Sequence, residues 1–432
     1  MRVQGTLRVP GDKSISHRSL ILGVLADRES ETRVTRILQS ADVHSTARVL
    51  RALGADLPEL SADFVVKGLG RQGLCSPTEN LDAANSGTTT RLMAGVAAAL
   101  PFDSTFIGDA SLSRRPMRRV AKPLTEMGAT FEMPEHGGLP MTVHGGHLRA
   151  IDWTSEVASA QVKSAILLAA LTAGVRARVV EPERTRDHTE RMLIARGASL
   201  SVSDAPRADA EKSSGSVIEL SADSPLSALD SDVPGDPSSA AFFGGLAALS
   251  QTGELRLQDV CVNETRTGFF RRLREMGVNV REENRHESGG ETVADLIVSA
   301  GTLRATHVTQ EDVPSMVDEL PLLACLAARA QGETRITGAN ELRVKESDRI
   351  AAVVANLRAI GVAAEELSDG MVIVGSDRPL RGRVVTHGDH RLAMAFGILG
   401  AADGNAIDID DPTCVEVSYP NFWIDLDRAV GR

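Results

Sequence analysis

Six times along the chain a polar and often charged turn runs directly into an apolar helical stretch rich in Ala, Gly and Leu, at 10–25, 85–100, 159–173, 236–249, 317–330 and 388–402. The copies recur at intervals of roughly 70 to 80 residues, the spacing of one supersecondary unit repeated and stacked on its neighbours. A second series lies between them, in which an amphipathic helical pattern ends at a glycine before an extended stretch, around Gly54, Gly128, Gly197, Gly277 and Gly361. Glycine after the last turn is the usual left-handed helix cap. The helices of the first series are apolar nearly all round, as at 165–171. A helix without a polar face must be buried on every side. Each repeat reads as strand, helix, strand, helix and then one or two strands, with strands over 33–37 and 63–67 in the first. The order predicts buried helices inside and sheets outside. A chain of 432 residues is too long for one typical core, so the six repeats divide as three plus three into two α/β domains. Pro-Gly-Asp occurs at 10–12 and again at 234–236, and each copy marks a candidate crossover between domains. The polar run 203–216 reads as a surface loop.

The formal net charge of −11 argues against a nucleic-acid or polyanion-binding protein, which usually carries a basic face. Yet the turns that open the repeats hold Lys13, Arg18, Arg91, Arg115, Lys345, Arg349 and Arg391. Cations concentrated there, in an acidic protein, suggest a small anionic ligand. The four cysteines, Cys75, Cys261, Cys325 and Cys414, are far apart and show neither metal-ligand spacing nor a paired framework, so they read as free thiols in a reducing compartment. The N-terminus lacks a signal-peptide core, and no apolar run reaches the roughly 18 residues of a membrane span. A soluble, cytoplasmic protein is expected. The run Gly68-Leu69-Gly70-Arg71-Gln72-Gly73 matches a dinucleotide fingerprint by letter, but the fingerprint needs a helix starting at those glycines; Pro77 follows closely, and the run reads as a turn. The pairs His144/His147 and His387/His390 lack a third ligand at a sensible spacing. No metal and no cofactor are predicted.

The turns themselves carry chemistry. At 10–25 the chain goes from extended segment through Gly11-Asp12 to a helix that Ser14 or Ser16 can cap. Its free N–H groups, with Lys13 and Arg18, form an anion site. Asn85-Ser86-Gly87-Thr88 joins an extended segment to a helix through a glycine that lets a ligand approach the backbone closely. Arg114-Arg115-Pro116 sets two guanidinium groups at a helix start, where a carboxylate or phosphate can be held bidentately. Ser159-Ala160-Gln161 and Thr185-Arg186-Asp187-His188-Thr189 offer hydroxyl, amide and guanidinium groups at two further helix starts. Asp318 and Glu319 precede an apolar helix. In Arg343-Val344-Lys345-Glu346-Ser347-Asp348-Arg349, Lys345, Glu346 and Arg349 can share one helical edge. Together these turns point to an enzyme acting on at least one highly anionic substrate.

Gly11-Asp12-Lys13-Ser14 with Arg18, Asn85-Ser86-Gly87-Thr88, Arg114-Arg115-Pro116, Ser159-Ala160-Gln161, the 343–349 run and Gly388-Asp389-His390-Arg391 occur in order over nearly the whole chain. In this the sequence resembles the 5-enolpyruvylshikimate-3-phosphate synthase family. The resemblance implies a two-domain inside-out α/β barrel, each domain made of three βαβαββ repeats with buried helices, and closing like a clamp. Residues 1–12 with 234–432 would form one domain and 13–233 the other. It implies transfer of the enolpyruvyl group of phosphoenolpyruvate to the 5-hydroxyl of shikimate 3-phosphate with release of phosphate, a step toward aromatic amino acids, by addition and then elimination. Lys13, Ser14, Arg18, Ser159, Ala160, Gln161, Arg186, Asp318 and Lys345 would hold shikimate 3-phosphate. Lys13, Gly87, Arg115, Gln161, Arg349 and Arg391 would hold phosphoenolpyruvate, and Asn85 and His390 join the substrate-binding set from the same motifs. Asp318 would accept the proton of the 5-hydroxyl, and Glu346, helped by Lys13, would protonate the methylene carbon. The partners implied are these two small molecules, with no nucleic acid or membrane, and the protein would act as a monomer. Some members place a phosphoenolpyruvate-binding lysine where this chain has Val417. Gly87 implies inhibition by glyphosate, since insensitive forms often carry Ala there. The alternatives are UDP-N-acetylglucosamine enolpyruvyl transferase, of the same fold, and a non-catalytic clamp for a phosphorylated metabolite.

Overall fold

In the computed structural model, which describes residues 1–205 and 215–431, the apolar stretches of the repeats are helices and the chain divides into two units. The middle unit is Gly11–Val233 with Ser288–Glu291, and the terminal unit is Met1–Pro10, Pro234–Glu287 and Thr292–Arg432. The middle unit holds helices α1 (Lys13–Leu25), α2 (Ala41–Ala52), α3 (Gly87–Ala98), α4 (Ala110–Arg114), α5 (Arg118–Met127), α6 (Ala160–Ala173) and α7 (His188–Ala195). The terminal unit holds α8 (Pro237–Leu249), α9 (Gly268–Glu275), α10 (Leu320–Ala327), α11 (Arg349–Ala359), α12 (His390–Ala401) and α13 (Phe422–Val430).

The helices with no polar face are buried as their composition requires. Every residue from Val162 to Thr172 of α6 is buried, as is every residue from Pro237 to Ala248 of α8 and the whole of α10. Helices α3 and α6 approach so closely that a Cβ on Gly95 would strike the carbonyl oxygen of Ala165. In the terminal unit α8, α10 and α12 form the centre, sealed at one side by rings of Phe243, Tyr419 and Phe422 at centroid spacings of 5.8–5.9 Å. The second series of helices ends as its glycines predict, with Gly54, Gly128, Gly197, Gly277 and Gly361 all at φ between +86° and +117°, a conformation that costs a Cβ-bearing residue more than glycine.

Among the described residues, three four-stranded sheets share one plan. In the middle unit Leu81–Asp82 pairs parallel with Asp103–Ile107, which pairs antiparallel with Met141–His144, and that strand with Thr130–Glu132. Ile151–Thr154, Ala177–Glu181, Ser216–Leu220 and Leu200–Asp204 repeat the pattern. In the terminal unit His307–Val308, Glu333–Ile336, Gly370–Val374 and Ala363–Leu367 do so again. A strand joined to the next through a helix pairs parallel, and the hairpin that follows adds antiparallel neighbours. Two copies exchange their first strands. Arg2–Leu7 precedes α1 yet pairs with Thr252–Cys261, the strand after α8; Ser231–Asp232 precedes α8 yet pairs with Glu31–Thr35, the strand after α1. The chain therefore passes from one unit to the other at Pro10–Gly11 and back at Val233–Pro234.

Some local expectations need correction. The strand expected at 33–37 is Glu31–Thr35, stopped by Arg36 in the left-handed region at φ +58°. The ends of the run 203–216 belong to antiparallel strands, and its centre, 206–214, lies outside the described residues. Among the described residues none of the four cysteines is in a disulfide. Among the described residues no helix is long and apolar enough to cross a membrane.

Candidate functional site

In the middle unit, three helix starts bring polar groups to one cluster of neighbours. Asp12, fully buried, caps α1 by accepting the N–H of Ile15 at 2.9 Å. Neither Ser14 nor Ser16 does so, because Ser16 donates its hydroxyl to the Asp12 carbonyl at 2.7 Å and accepts the N–H of Leu38 at 3.1 Å. Lys13 donates to Asp42 at 3.1 Å. Arg18 is buried one turn into α1. Its Nε donates to Thr189 Oγ1 at 2.7 Å, Nη1 to the Ser14 carbonyl at 3.0 Å and Nη2 to Ser164 Oγ at 2.9 Å. Among the described residues these hydrogen bonds all go to neutral oxygens, and no carboxylate touches the guanidinium. Burial lowers its pKa to about 10, with the charge of Glu190 as the main counterweight. A buried cation without a contacting anion is an incomplete arrangement that an anionic ligand completes. Arg186 lies half-buried in the loop that leads into α7.

Ser86 caps α3 by accepting the N–H of Thr89 at 3.2 Å, and Gly87 is the first helical residue. A Cβ on Gly87 would stand 2.8 Å from Arg91 Nη1 and 3.6 Å from Arg115 Nη1, so the glycine backbone lies directly against two guanidinium groups. Arg91 in turn donates to Gln161 Oε1 at 2.7 Å, and Gln161 Nε2 donates to Thr88 at 3.2 Å. Arg115 donates to Asn85 Oδ1 at 3.0 Å, and Asn85 Nδ2 to Asp109 at 2.6 Å. Arg115 follows the last turn of α4 rather than opening a helix. Asp109 caps that short helix through Leu112, and Pro116 delays the next helix to Arg118. Ser159 caps α6 through Val162 at 3.5 Å, with Ala160 as the first residue of the helix. The structure thus joins Asn85, Gly87, Arg115 and Gln161 in one hydrogen-bonded neighbourhood, and Arg91 is the centre that sequence reasoning left without a role.

In the terminal unit a second cluster forms around Asp318. Its carboxylate lies 3.6 Å from Lys345 Nζ, 3.5 Å from Arg349 Nη1 and 3.7 Å from Arg391 Nη2, and Arg391 Nη1 donates to its carbonyl at 3.1 Å. Glu319, the next residue, is 3.5 Å from Arg391 Nη1. Arg349, almost wholly buried, donates Nη2 to Glu346 at 2.6 Å and places Nε and Nη2 on Asp389 at 2.8 and 3.2 Å. Burial works against this ion pair, but the Asp389 and Glu346 carboxylates prevail and hold the Arg349 pKa above its ordinary value. Burial likewise opposes the Asp389 carboxylate, and Arg349 overcomes it, so Asp389 sits below the usual carboxylate range. Asp389 also caps α12, accepting the N–H of Arg391 at 3.0 Å, with buried His390 as the first helical residue. Lys345, Glu346 and Arg349 do not share a helical edge. Asp348 caps α11 through Ala351, so Arg349 alone is helical, while Lys345 is extended and pairs also with Glu341 at 2.6 Å. Asp389 is the residue that sequence reasoning passed over; its position one residue before an apolar helix was the available signal.

A family model described as EPSP synthase (3-phosphoshikimate 1-carboxyvinyltransferase) matches residues 1–426. The 3-phosphoshikimate 1-carboxyvinyltransferase of Sulfurihydrogenibium sp. is 46% identical over 429 residues, covering 99% of this chain and 97% of that protein. The protein of the same description from Aquifex aeolicus is 45% identical over 431 residues, covering 99% and 98%. The solved structure of EPSP synthase from Acinetobacter baumannii matches with a TM-score of 0.85 at 39% identity, covering 99% of this chain and 96% of that one.

Proposed function

The chain belongs to the EPSP synthase family, and on that premise we propose that it transfers the enolpyruvyl group of phosphoenolpyruvate to the 5-hydroxyl of shikimate 3-phosphate, releasing phosphate, as a step in aromatic amino-acid biosynthesis. The observation that carries this reading is Arg18, a buried guanidinium held only by neutral oxygens among the described residues, as a receptor for a substrate phosphate would be. Lys13, Ser14, Arg18, Ser159, Ala160, Gln161 and Arg186, with Asp318 and Lys345, are assigned to shikimate 3-phosphate. Lys13, Gly87, Arg115, Gln161, Arg349 and Arg391 are assigned to phosphoenolpyruvate, and Asn85 and His390 support the same set. The bond to the 5-hydroxyl oxygen forms as the methylene carbon takes a proton; loss of phosphate and of a proton from that methyl then restores the double bond. Asp318 serves as proton acceptor from the hydroxyl and Glu346, helped by Lys13, as proton donor to carbon. The cations around Asp318 and Glu346 suit a reaction between two anions.

We treat residues 1–12 with 234–432 and residues 13–233 as the two domains, each an inside-out barrel of three βαβαββ repeats, acting as a cytoplasmic monomer. The parallel-then-antiparallel sheets over buried helices support the first part, and four cysteines outside any disulfide suit the second. Phosphate release should require phosphoenolpyruvate and shikimate 3-phosphate together. Release with UDP-N-acetylglucosamine in place of shikimate 3-phosphate, or no release with either acceptor, would overturn the assignment.

A further inference from the structure

Beneath Arg18 and Arg186 lies a buried ionic layer that the reaction does not call on. Lys163 is the one ionisable residue of α6 and is 1% exposed, yet its ammonium lies 2.9 Å from Glu181 Oε1 and 2.7 Å from Glu190 Oε1, both carboxylates equally buried. Apolar residues at all three positions would fill the same space without the desolvation cost of three ions, so packing alone does not account for the triad. The partners of Lys163 lead in two directions. Glu181 also accepts the N–H and hydroxyl of Thr185 at 3.1 and 2.7 Å and the hydroxyl of Ser216 at 2.7 Å, and Thr185 is the residue before Arg186. Glu190 follows Thr189, whose hydroxyl receives Arg18 Nε. Ser164, beside Lys163, receives Arg18 Nη2 and lies 2.7 Å from the same Thr189 hydroxyl. The layer also balances charge, with Lys163 and Arg18 against Glu181 and Glu190, while among the described residues no carboxylate contacts the Arg18 guanidinium. Two carboxylates hold the Lys163 ammonium above its ordinary pKa against its burial.

We propose that Lys163 is a positioning residue for the anion site: by pairing with Glu181 and Glu190 at once, it locks the Arg186 loop and the Thr189 turn of α7 to α6 and so fixes Arg18 and Arg186 relative to one another. The inference rests on the reading that these two arginines hold shikimate 3-phosphate. Its signature is selective, since the residues assigned to phosphoenolpyruvate alone, Gly87, Arg115, Arg349 and Arg391, lie outside this layer, and only Lys13 and Gln161 are shared with shikimate 3-phosphate.

The test is the double variant Lys163→Met/Glu190→Gln, which removes one buried ion pair from both sides at similar volume and leaves the Glu181 carboxylate on its three hydrogen bonds from Thr185 and Ser216. Calorimetric titration with shikimate 3-phosphate should show affinity reduced by at least about tenfold, on the scale expected when binding groups are misplaced by a fraction of an ångström to about 1 Å. The KM for phosphoenolpyruvate at saturating shikimate 3-phosphate should move by less than about threefold. A folded double variant with unchanged shikimate 3-phosphate affinity, or with both constants raised alike, overturns the proposal. Arg18→Gln, titrated in parallel, separates the two levels: if it binds as tightly as the parent chain, the reading of Arg18 fails and the positioning inference falls with it. Thr185→Val keeps all the ions and removes one bond to Glu181. It should weaken the same affinity by a smaller factor, and if the double variant does not fold, unchanged binding by Thr185→Val overturns the proposal instead.

Discussion

His17 should make the middle unit lose stability in mild acid, by an amount the structure sets. The ring is fully buried on α1; Nδ1 lies 2.6 Å from Thr46 Oγ1, and Nε2 has no hydrogen-bond partner among the described residues. A buried N–H without an acceptor costs more than a bare lone pair, so the proton belongs on Nδ1, donated to Thr46. Hydroxyls continue the chain from Thr46 to Thr89 and from Thr89 to the α3 cap Ser86, each at 2.7 Å. Burial lowers the ring pKa from 6.5 to about 3; Asp42 and Asp12 oppose the shift, while Lys13 and Arg18 add to it. Between these values the unfolded chain binds a proton that the folded chain refuses, so stability rises with pH from about 3 to about 6.5 and is complete above that window. At about 1.36 kcal/mol per unit, the loss from this one group is about 2 kcal/mol at pH 5 relative to pH 7.5, and about 4 kcal/mol at pH 3, where the folded-state ring is itself half protonated. His17→Asn places an amide nitrogen where Nδ1 was, keeps a donor for Thr46 and does not titrate. Urea unfolding can be followed at pH 5 and pH 7.5 through Trp153 of the middle unit, in a Trp423→Phe background that silences the terminal unit. The parent chain should lose about 2 kcal/mol more than His17→Asn between the two pH values, whatever the other groups contribute to both. Equal losses would refute the reasoning and mean that the ring is solvated or already protonated in the fold.

Arg115→Ala, which removes the donor to Asn85 beside Gly87, should lower kcat/KM for phosphoenolpyruvate by the equivalent of about 2 to 4 kcal/mol while circular dichroism stays unchanged; near-normal kinetics would remove Arg115 from the site. Gly87→Ala puts a methyl 2.8 Å from Arg91 Nη1, a contact that shifts the guanidinium rather than the backbone. The inhibition constant for glyphosate should therefore rise by a larger factor than the KM for phosphoenolpyruvate, and equal factors would point to a shared anion subsite disturbed as a whole. Asp389→Ala strips the buried Arg349 of its two-point partner and α12 of its cap, a loss of about 3 to 5 kcal/mol by analogy with broken buried ion pairs, read as a lower urea midpoint of the terminal unit through Trp423.

The repeat, the class of each helix and the sites where chemistry is concentrated all follow from neighbours along the chain. A stretch such as 165–171, with no polar face, has only one stable place, and a glycine after an amphipathic turn has one favoured conformation, so both were legible one residue at a time. The motifs likewise named most of the candidate residues, because capped helix starts and cations are local features. The tertiary structure decided what those features touch. Asp12 rather than a serine caps α1, since Ser16 is drawn to Leu38 from a segment 22 residues away. Arg349 belongs to Asp389, and Arg91 to Gln161, through contacts spanning 40 and 70 residues. The exchange of Arg2–Leu7 for Ser231–Asp232 is a matter of strand partnership, which periodicity does not encode. Lys163 reads in sequence as an interruption of an apolar helix; only the fold brings Glu181 and Glu190 to it. Local energetics are written in neighbours along the chain, whereas the pairing of buried charges depends on which distant carboxylate the packing leaves within about 3 Å, where alone the attraction outweighs desolvation.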